Sequence, residues 1–332
     1  MKVLSLFDGI SCGMLALQRA GISVERYVAY EIDKYAIQIS EKNFPRIEHC
    51  GDVTKADFKQ YKDFDLVIGG SPCQGFSLAG KQLNFNDPRS KLFFEFVRAM
   101  KEVNPKYFLL ENTLMKKEYE DVITKYMGVK PIMIDSQLVS AQQRKRLYWT
   151  NIPNIVSPKK KEIYLEDIVE PDALVDRNKS HAIIASIGRT THREYFKKNQ
   201  GQMLYLAIEL SNIYGGFKET KPRVHLRKSV TIRAGQGGGR IPSLIIEGKA
   251  KEFSLEDFKK CIRKVTPLEC ERLQTLPDNY TEGISNTQRY KCIGNGWTVD
   301  VIADIFSHLK DILNEEVIYE NSPLPNIGMI GR

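Results

Sequence analysis

Val3-Leu4-Ser5-Leu6-Phe7-Asp8-Gly9-Ile10-Ser11-Cys12-Gly13 opens the chain with a short apolar run that breaks into glycines, and the stretch Met14 to Ala20 behind it has helical spacing. A strand, a glycine turn and a helix in that order predict the first βα unit of an open, mostly parallel sheet. Glycines at such a turn let a ligand approach the backbone and leave the helix N-terminal amides facing it. The spacing departs from GxGxxG, which favours a nucleoside without a pyrophosphate over a dinucleotide.

Working outward, Tyr27 to Tyr30, Leu66 to Ile68, Tyr107 to Leu110 and Pro131 to Ile134 read as further strands after Val3 to Phe7. Ser90 to Val103 reads as a helix, with apolar Leu92, Phe93, Phe96, Val97 and Met100 near three- and four-residue spacing. Residues 1–152 therefore predict an α/β domain with a doubly wound sheet. The texture changes after Pro153, with a Ser-Pro-Lys-Lys-Lys run at 157–161 and a glycine cluster at 235–239, so 153–261 reads as a smaller, irregular second domain. Helical periodicity returns in Pro267 to Leu276 and Val299 to Leu313. That makes 262–314 a return segment completing the first domain and 315–332 a tail.

The chain has 332 residues, 42% hydrophobic and 27% charged, enough apolar matter for a large core. Lys and Arg number 49 against 41 Asp and Glu, a formal charge of +8 that attracts polyanions. The six cysteines lack CxxC spacing, and no histidine stands at metal-ligand distance from them, so neither a disulfide framework nor a zinc site is expected. The apolar start is too short for a signal peptide, and no run reaches the roughly 20 apolar residues of a membrane span. A cytoplasmic protein without membrane contact is the expectation.

Three acids and one thiol fall at expected strand ends. Glu31 closes the second strand, where a doubly wound nucleotide site places a carboxylate on ribose hydroxyls, and Asp52 after Gly51 is placed to accept from an adenine amine. Leu66-Val67-Ile68 opens into Gly69-Gly70-Ser71-Pro72-Cys73-Gln74, setting Cys73 on a loop at the carboxyl edge of the sheet rather than in a core. The strand Tyr107 to Leu110 ends in Glu111-Asn112 on the same edge. In Gln142-Gln143-Arg144-Lys145-Arg146, both arginines point to one side of an extended segment, as suits a phosphate or a base carbonyl. Each feature alone is more often a solvated loop or a strand exit; their order carries the reading.

Phe-x-Gly-x-x-x-Gly, Ser-Pro-Cys-Gln, Glu-Asn and Gln-x-Arg-x-Arg, in this order, resemble the cytosine-5 DNA methyltransferase family. Thr266-Pro267-Leu268-Glu269-Cys270-Glu271-Arg272-Leu273-Gln274 and Gly294-Asn295-Gly296-Trp297-Thr298 agree with it. Leu4 to Ile10, Asp65 to Cys73 and Leu92 to Phe96 look like the branch that contains the animal de novo enzymes, and a bacterial or phage member is expected. The family has valine after Glu-Asn where this chain has Thr113, and a valine-containing turn where it has Gly296-Trp297.

The resemblance implies a Rossmann-like S-adenosylmethionine-dependent methyltransferase sheet with a smaller target-recognition domain, and S-adenosyl-L-methionine as cofactor. It places Phe7, Asp8, Gly9, Ile10, Ser11 and Cys12 in the cofactor loop, Glu31 on ribose, Asp52 and Val53 at adenine, and Asn295 and Trp297 closing the pocket. Cys73 becomes the nucleophile on carbon 6, Glu111 the acid on the base, and Arg144 and Arg146 the supports of a flipped nucleotide in double-stranded DNA. Within 153–261, the run 233–240 offers Gln236 and Arg240 to base edges. A cognate restriction endonuclease is the expected partner in a restriction-modification system. The rivals are a transfer RNA cytosine-5 methyltransferase of the same family and an inactive DNA-binding relative. A nicotinamide dehydrogenase lacks support without GxGxxG.

Overall fold

The strand β1 (Lys2–Leu6) lies third in a seven-stranded sheet in a computed structural model that describes residues 1–71, 88–170, 173–175, 177–189, 202–206, 209–210, 244–246, 249–250 and 262–321. Its neighbours are β2 (Arg26–Tyr30) and β4 (Leu66–Gly69), both parallel to it, with β3 (Glu48–His49) outside β2 and β5 (Tyr107–Thr113) outside β4. The order is β3-β2-β1-β4-β5-β7-β6. The chain winds outward from β1 in both directions, so the sheet is doubly wound, and its mostly parallel pairing is the one expected of residues 1–152.

One departure reshapes the far edge. β7 (Lys145–Thr150) inserts antiparallel between β5 and β6 (Ile132–Asp135), pairing Thr113 with Arg146 and Glu111 with Tyr148. The basic element expected only to be extended is thus a full strand of the sheet. Its second half, Leu147-Tyr148-Trp149, is apolar and buried on both faces, which fixes it in the interior of the sheet rather than at an edge.

Alternation along the strands feeds two cores. Val3, Leu66, Ile68, Leu109 and Tyr148 face one layer; Leu4, Leu6, Val67, Phe108 and Trp149 face the other. The first layer is closed by α1 (Cys12–Arg19), α2 (Lys34–Asn43) and the helices of the return segment: α6 (Pro267–Leu273), α7 (Asn286–Asn295) and α8 (Val299–Asn321). α8 buries Ile302, Ile305, Phe306 and Leu309 at helical spacing and packs against α1. It runs on to Asn321, past residue 315 where the tail was expected to begin.

The second layer is α3 (Pro88–Val103), which buries Phe93, Phe96, Val97 and Val103, and α4 (Lys117–Met127), which buries Tyr119, Ile123 and Met127. A short α5 (Leu165–Ile168) leads toward small antiparallel pieces. These are β8 (Ala173–Leu174), β9 (Met203–Leu206) and β13 (Ile262–Lys264) in one three-stranded sheet, and β10 (Glu209–Leu210), β11 (Leu244–Ile246) and β12 (Lys249–Ala250) in another.

Two buried acids on α6 hold this region, Glu269 across the seam to those pieces and Glu271 within the return segment. Glu269 completes a capping box with Thr266, accepts from the Glu170 amide at 2.9 Å and pairs with both terminal nitrogens of Arg263, at 2.9 and 2.8 Å. Glu271 accepts from the amides of Asn279 and Thr281, each at 2.8 Å, and from Arg289 at 2.9 Å. Both carboxylates are fully buried, and these donors replace the water they lose. Among the described residues no helix is long and apolar enough to cross a membrane.

Candidate active site

A cavity of about 720 Å3 opens at the carboxyl ends of β1, β2, β4 and β5, where open α/β sheets bind ligands. Phe7, Glu31 and Asp52 line one pole; Glu111, Asn112 and Arg146 line the other.

The first pole is shaped by the turn after β1. Phe7, Gly9 and Ser11 all have positive φ, near 58–59°, which curls residues 7–11 into a tight loop before α1. Two carboxylates hold that loop. Glu31, at the end of β2, accepts from the Gly9 amide at 2.9 Å through one oxygen and from the Ile32 and Asp33 amides at 2.8 Å through the other. Asp8 turns away from the cavity: one oxygen accepts from Ser5 and Tyr27, at 2.6 and 2.7 Å, and the other from Ser11. Its enclosure pushes its carboxyl up from the usual aspartate range, against the pull of those three hydroxyls.

The remaining residues expected at the cofactor divide between lining and support. Gly9, Ile10, Asp52, Val53 and Asn295 line the cavity with Phe7 and Glu31. Asp52 caps a short 3₁₀ turn by accepting from the Thr54 amide and hydroxyl through one oxygen, at 3.0 and 2.8 Å. Cys12 and Trp297 lie behind the wall. Burial pushes the Cys12 thiol up to about 12, and Trp297 packs against Gly13 and Gly70. Sequence reading missed Ile32, which lines the cavity with 76% of its surface exposed, and the Lys291–Asp33 ion pair of 2.6 Å at the rim. An exposed isoleucine just past a strand end carries no periodic signal that would single it out.

At the second pole Glu111 and Arg146 face each other across β5 and β7, with Nε of Arg146 3.0 Å from Oε1 of Glu111. The N–H is not aimed at that oxygen, since the Nε atom is buried without a hydrogen-bond partner, so the contact is coulombic. A guanidinium terminal nitrogen is tied to the Lys145 carbonyl at 2.8 Å, which fixes the arginine to its own strand. Asn112 points to the opposite side of β5 and donates to Ser71 Oγ at 3.2 Å, tying the exit of β4 to that of β5. Gly70 is crowded: a Cβ there would lie 3.0 Å from Trp297 Nε1 and 3.2 Å from Glu111 Oε2, so these side chains would have to give by a few tenths of an ångström.

The two arginines of the Gln-x-Arg-x-Arg stretch share a face, as expected, but not a setting. Arg144 is 4% exposed and donates to the carbonyls of Ile183 at 2.6 Å, Gly294 at 3.3 Å and Gly296 at 3.0 Å. Burial pulls its guanidinium down to about 9, and the nearby Arg146 charge adds to the depression. Gln142 continues the same role one step earlier, donating to the Leu273 carbonyl at 2.7 Å and to Gln274 Oε1 at 2.8 Å while accepting from the Ile183 amide at 2.9 Å. Gln274 in turn donates to the Ile293 and Gly296 carbonyls, at 3.0 and 3.2 Å. Alternate residues of one extended segment therefore bolt the return segment to the sheet and then, at Arg146, reach the acid. Cys73, Gln236 and Arg240 lie outside the described residues; the chain enters residues 72–87 from Ser71, beside Asn112.

A family model described as C-5 cytosine-specific DNA methylase matches residues 1–311. The type II methyltransferase M1.ScrFI of Lactococcus lactis subsp. cremoris is 31% identical over 327 residues, covering 95% of this chain and 79% of that protein. The type II methyltransferase M.HhaI of Haemophilus parahaemolyticus is 28% identical over 347 residues, covering 95% of each. Among solved structures, the Entamoeba histolytica methyltransferase EhMeth superposes with a TM-score of 0.69 at 18% identity, over 94% of this chain and 98% of that one. The S. pombe Dnmt2 methyltransferase gives 0.60 at 18% identity, over 95% and 99%. At those identities the structural likeness shows the fold, the large mixed α/β sheet of a methyltransferase.

Proposed function

This chain belongs to the C-5 cytosine-specific DNA methylase family and is a cytosine-5 DNA methyltransferase, and we propose that it acts through a covalent Cys73 adduct on a cytosine turned out of duplex DNA. The observation that carries this reading is the Glu111–Arg146 pair at one pole of a cavity whose other pole presents Glu31 and Asp52.

The cavity volume and its donor set fit S-adenosylmethionine. About 720 Å3 is within the ordinary range for a ligand of that size. Glu31 has lone pairs left for ribose hydroxyls after its three amide bonds, and one oxygen of Asp52 remains for an adenine amine. Gln288 Oε1, buried in the lining with no partner, is a further acceptor that a bound ligand satisfies. When bound, the cofactor supplies an electrophilic methyl group on a sulfonium.

The chain's own residues do the rest. Carbon 5 of cytosine is a weak nucleophile, so the Cys73 thiolate first adds at carbon 6, and the electron pair moves onto the ring. Glu111 holds N3 and the exocyclic amine, stabilising the charge that develops there, and Arg146 keeps the acid in place. After carbon 5 has been methylated, its proton leaves to a base or water and the carbon–sulfur bond breaks, returning the thiolate. A base within the stack is out of reach of this constellation, so the target is flipped out.

Residues 153–261 are proposed to read the target, with Gln236 and Arg240 at base edges. The type II names of the relatives support a restriction-modification role beside a cognate endonuclease, and a cytoplasmic location is proposed with it. The adduct is tested with duplex DNA carrying 5-fluorocytosine, whose fluorine cannot leave as the proton does. Wild-type protein with S-adenosylmethionine is expected to form a complex that survives denaturing electrophoresis, and Cys73→Ser is expected to form none. Equal trapping by both proteins overturns the assignment of Cys73.

A further inference from the structure

The loop after β1 lines the cavity with Phe7, Gly9 and Ile10, while Asp8 and Ser11 turn the other way, into the protein. Phe7 and Ser11 hold positive φ, 58° and 59°, a conformation that side chains keep only where their surroundings impose it. Ties from outside the loop impose it. Glu31 accepts from the Gly9 amide, and Tyr280 donates to the Ile10 carbonyl at 2.7 Å. Two more ties meet at Asp8. From β2, Tyr27 donates to Oδ1 at 2.7 Å; from α2, Ser40 pairs with Ser11 at 2.5 Å, and Ser11 donates to Oδ2. A hydroxyl has one proton, so Ser11 gives its own to Asp8 and accepts from Ser40. Neither Tyr27 nor Ser40 lines the cavity.

With Ser5 added, Asp8 accepts from three hydroxyls, which suits an ionised carboxylate; a protonated one brings a hydrogen that no acceptor faces. No lysine or arginine pairs with it among the described residues. The titratable groups around it are Tyr27, Cys12 on α1, Tyr280 ahead of α7 and His49 on β3. Burial pushes the first three up, which keeps them uncharged and Tyr27 a donor, while a positive charge on His49 favours the carboxylate. Ser5 and Ser11 belong to the same stretch of chain as Asp8, so Tyr27 is the donor that ties the acid to another strand. We propose that Tyr27 is a positioning residue for the cofactor: its hydroxyl, with the Ser40–Ser11 pair opposite, fixes Asp8 and thereby holds Phe7, Gly9 and Ile10 against the ligand. The inference rests on the reading above, in which this pole binds S-adenosylmethionine.

The experiment measures kcat and the KM for S-adenosylmethionine on unmethylated duplex DNA, and binding of S-adenosylhomocysteine by calorimetry, for wild type, Y27F, S40A and S40T between pH 6 and pH 8. Y27F keeps the ring and loses the donor; it is expected to raise the KM for the cofactor about fivefold at pH 8, with kcat at saturating cofactor within about twofold. Losing a donor favours the protonated acid, so the ratio of the Y27F KM to that of wild type is expected to grow as the pH falls, the charge on His49 being common to both proteins. S40A is expected to move in the same direction, and S40T, which keeps the hydroxyl, to stay within about twofold of wild type. A Y27F protein whose KM for the cofactor matches wild type at every pH overturns the inference and leaves the methyltransferase reading standing. So does a ratio that is constant across the pH range, or S40T as impaired as S40A, either of which marks a packing role. Wild type that binds neither S-adenosylmethionine nor S-adenosylhomocysteine sinks the underlying reading and the inference with it.

Discussion

Nε of Arg146 stands 3.0 Å from Oε1 of Glu111, with only 13% and 11% of the two side chains exposed and no aligned hydrogen bond between them. The acid is thus held by charge while its other edge stays open to the cavity. Glu111→Gln keeps the shape of the side chain and loses the acid. Its kcat for methyl transfer to DNA is expected to fall by about 10²-fold or more, with the melting temperature close to wild type. Activity within about threefold of wild type contradicts the role of Glu111.

Arg144 is expected to behave as a structural bolt. Replacing it by methionine leaves the carbonyls of Ile183, Gly294 and Gly296 short of a donor inside the protein, which costs about 2–5 kcal/mol of stability in urea unfolding. Arg146→Met is expected to cost less stability and more activity, because Arg146 makes one backbone bond and faces the acid. The same ranking in both assays for both variants contradicts the division of labour.

Gly70→Ala probes the crowding at the exit of β4. The new methyl group would meet Trp297 Nε1 at 3.0 Å and Glu111 Oε2 at 3.2 Å, so one of them must shift. A drop in kcat of about tenfold or more, with Glu111 the displaced group, is the expected outcome. Normal activity would show that the acid has slack the packing denies.

What the sequence made legible, and what it hid, follows from the range of the forces involved. The β1 loop, Glu31, Asp52 and Glu111 were readable because an apolar run ending in a glycine turn or an acid has one placement in a doubly wound sheet. Arg144 and Arg146 were readable as a pair on one face, but their separate roles depend on the Gly294 and Gly296 carbonyls, about 150 residues away in sequence. The inward turn of Asp8 depends likewise on Ser5 and Tyr27, since an acid in a glycine loop reads as a ligand group until its hydroxyl donors are known. The antiparallel insertion of β7 was hidden because its charged first half masks a strand whose apolar half is only Leu147, Tyr148 and Trp149.

Thiol chemistry separates the described cysteines. Cys50 is exposed, whereas Cys12, Cys270 and Cys292 are buried. Burial pushes the Cys12 and Cys292 thiols up to about 12, so alkylation at pH 8 followed by mass spectrometry is expected to modify Cys50 and spare the other three. Both thiols stay protonated in the fold above the ordinary value of 9.0, where the unfolded chain loses its protons. Stability is therefore full below pH 9 and falls as the pH rises toward 12. The Cys12→Ala, Cys292→Ala double variant is expected to show a shallower fall in its urea midpoint, and an identical slope contradicts the burial account.

The most direct test of the central claim is transfer of labelled methyl from S-adenosylmethionine to unmethylated duplex DNA and, in parallel, to transfer RNA, with the products digested to nucleosides. Label in the DNA digest as 5-methylcytosine, lost in Cys73→Ser, is the predicted result. Label only in the RNA digest, or undiminished label with Cys73→Ser, contradicts the account.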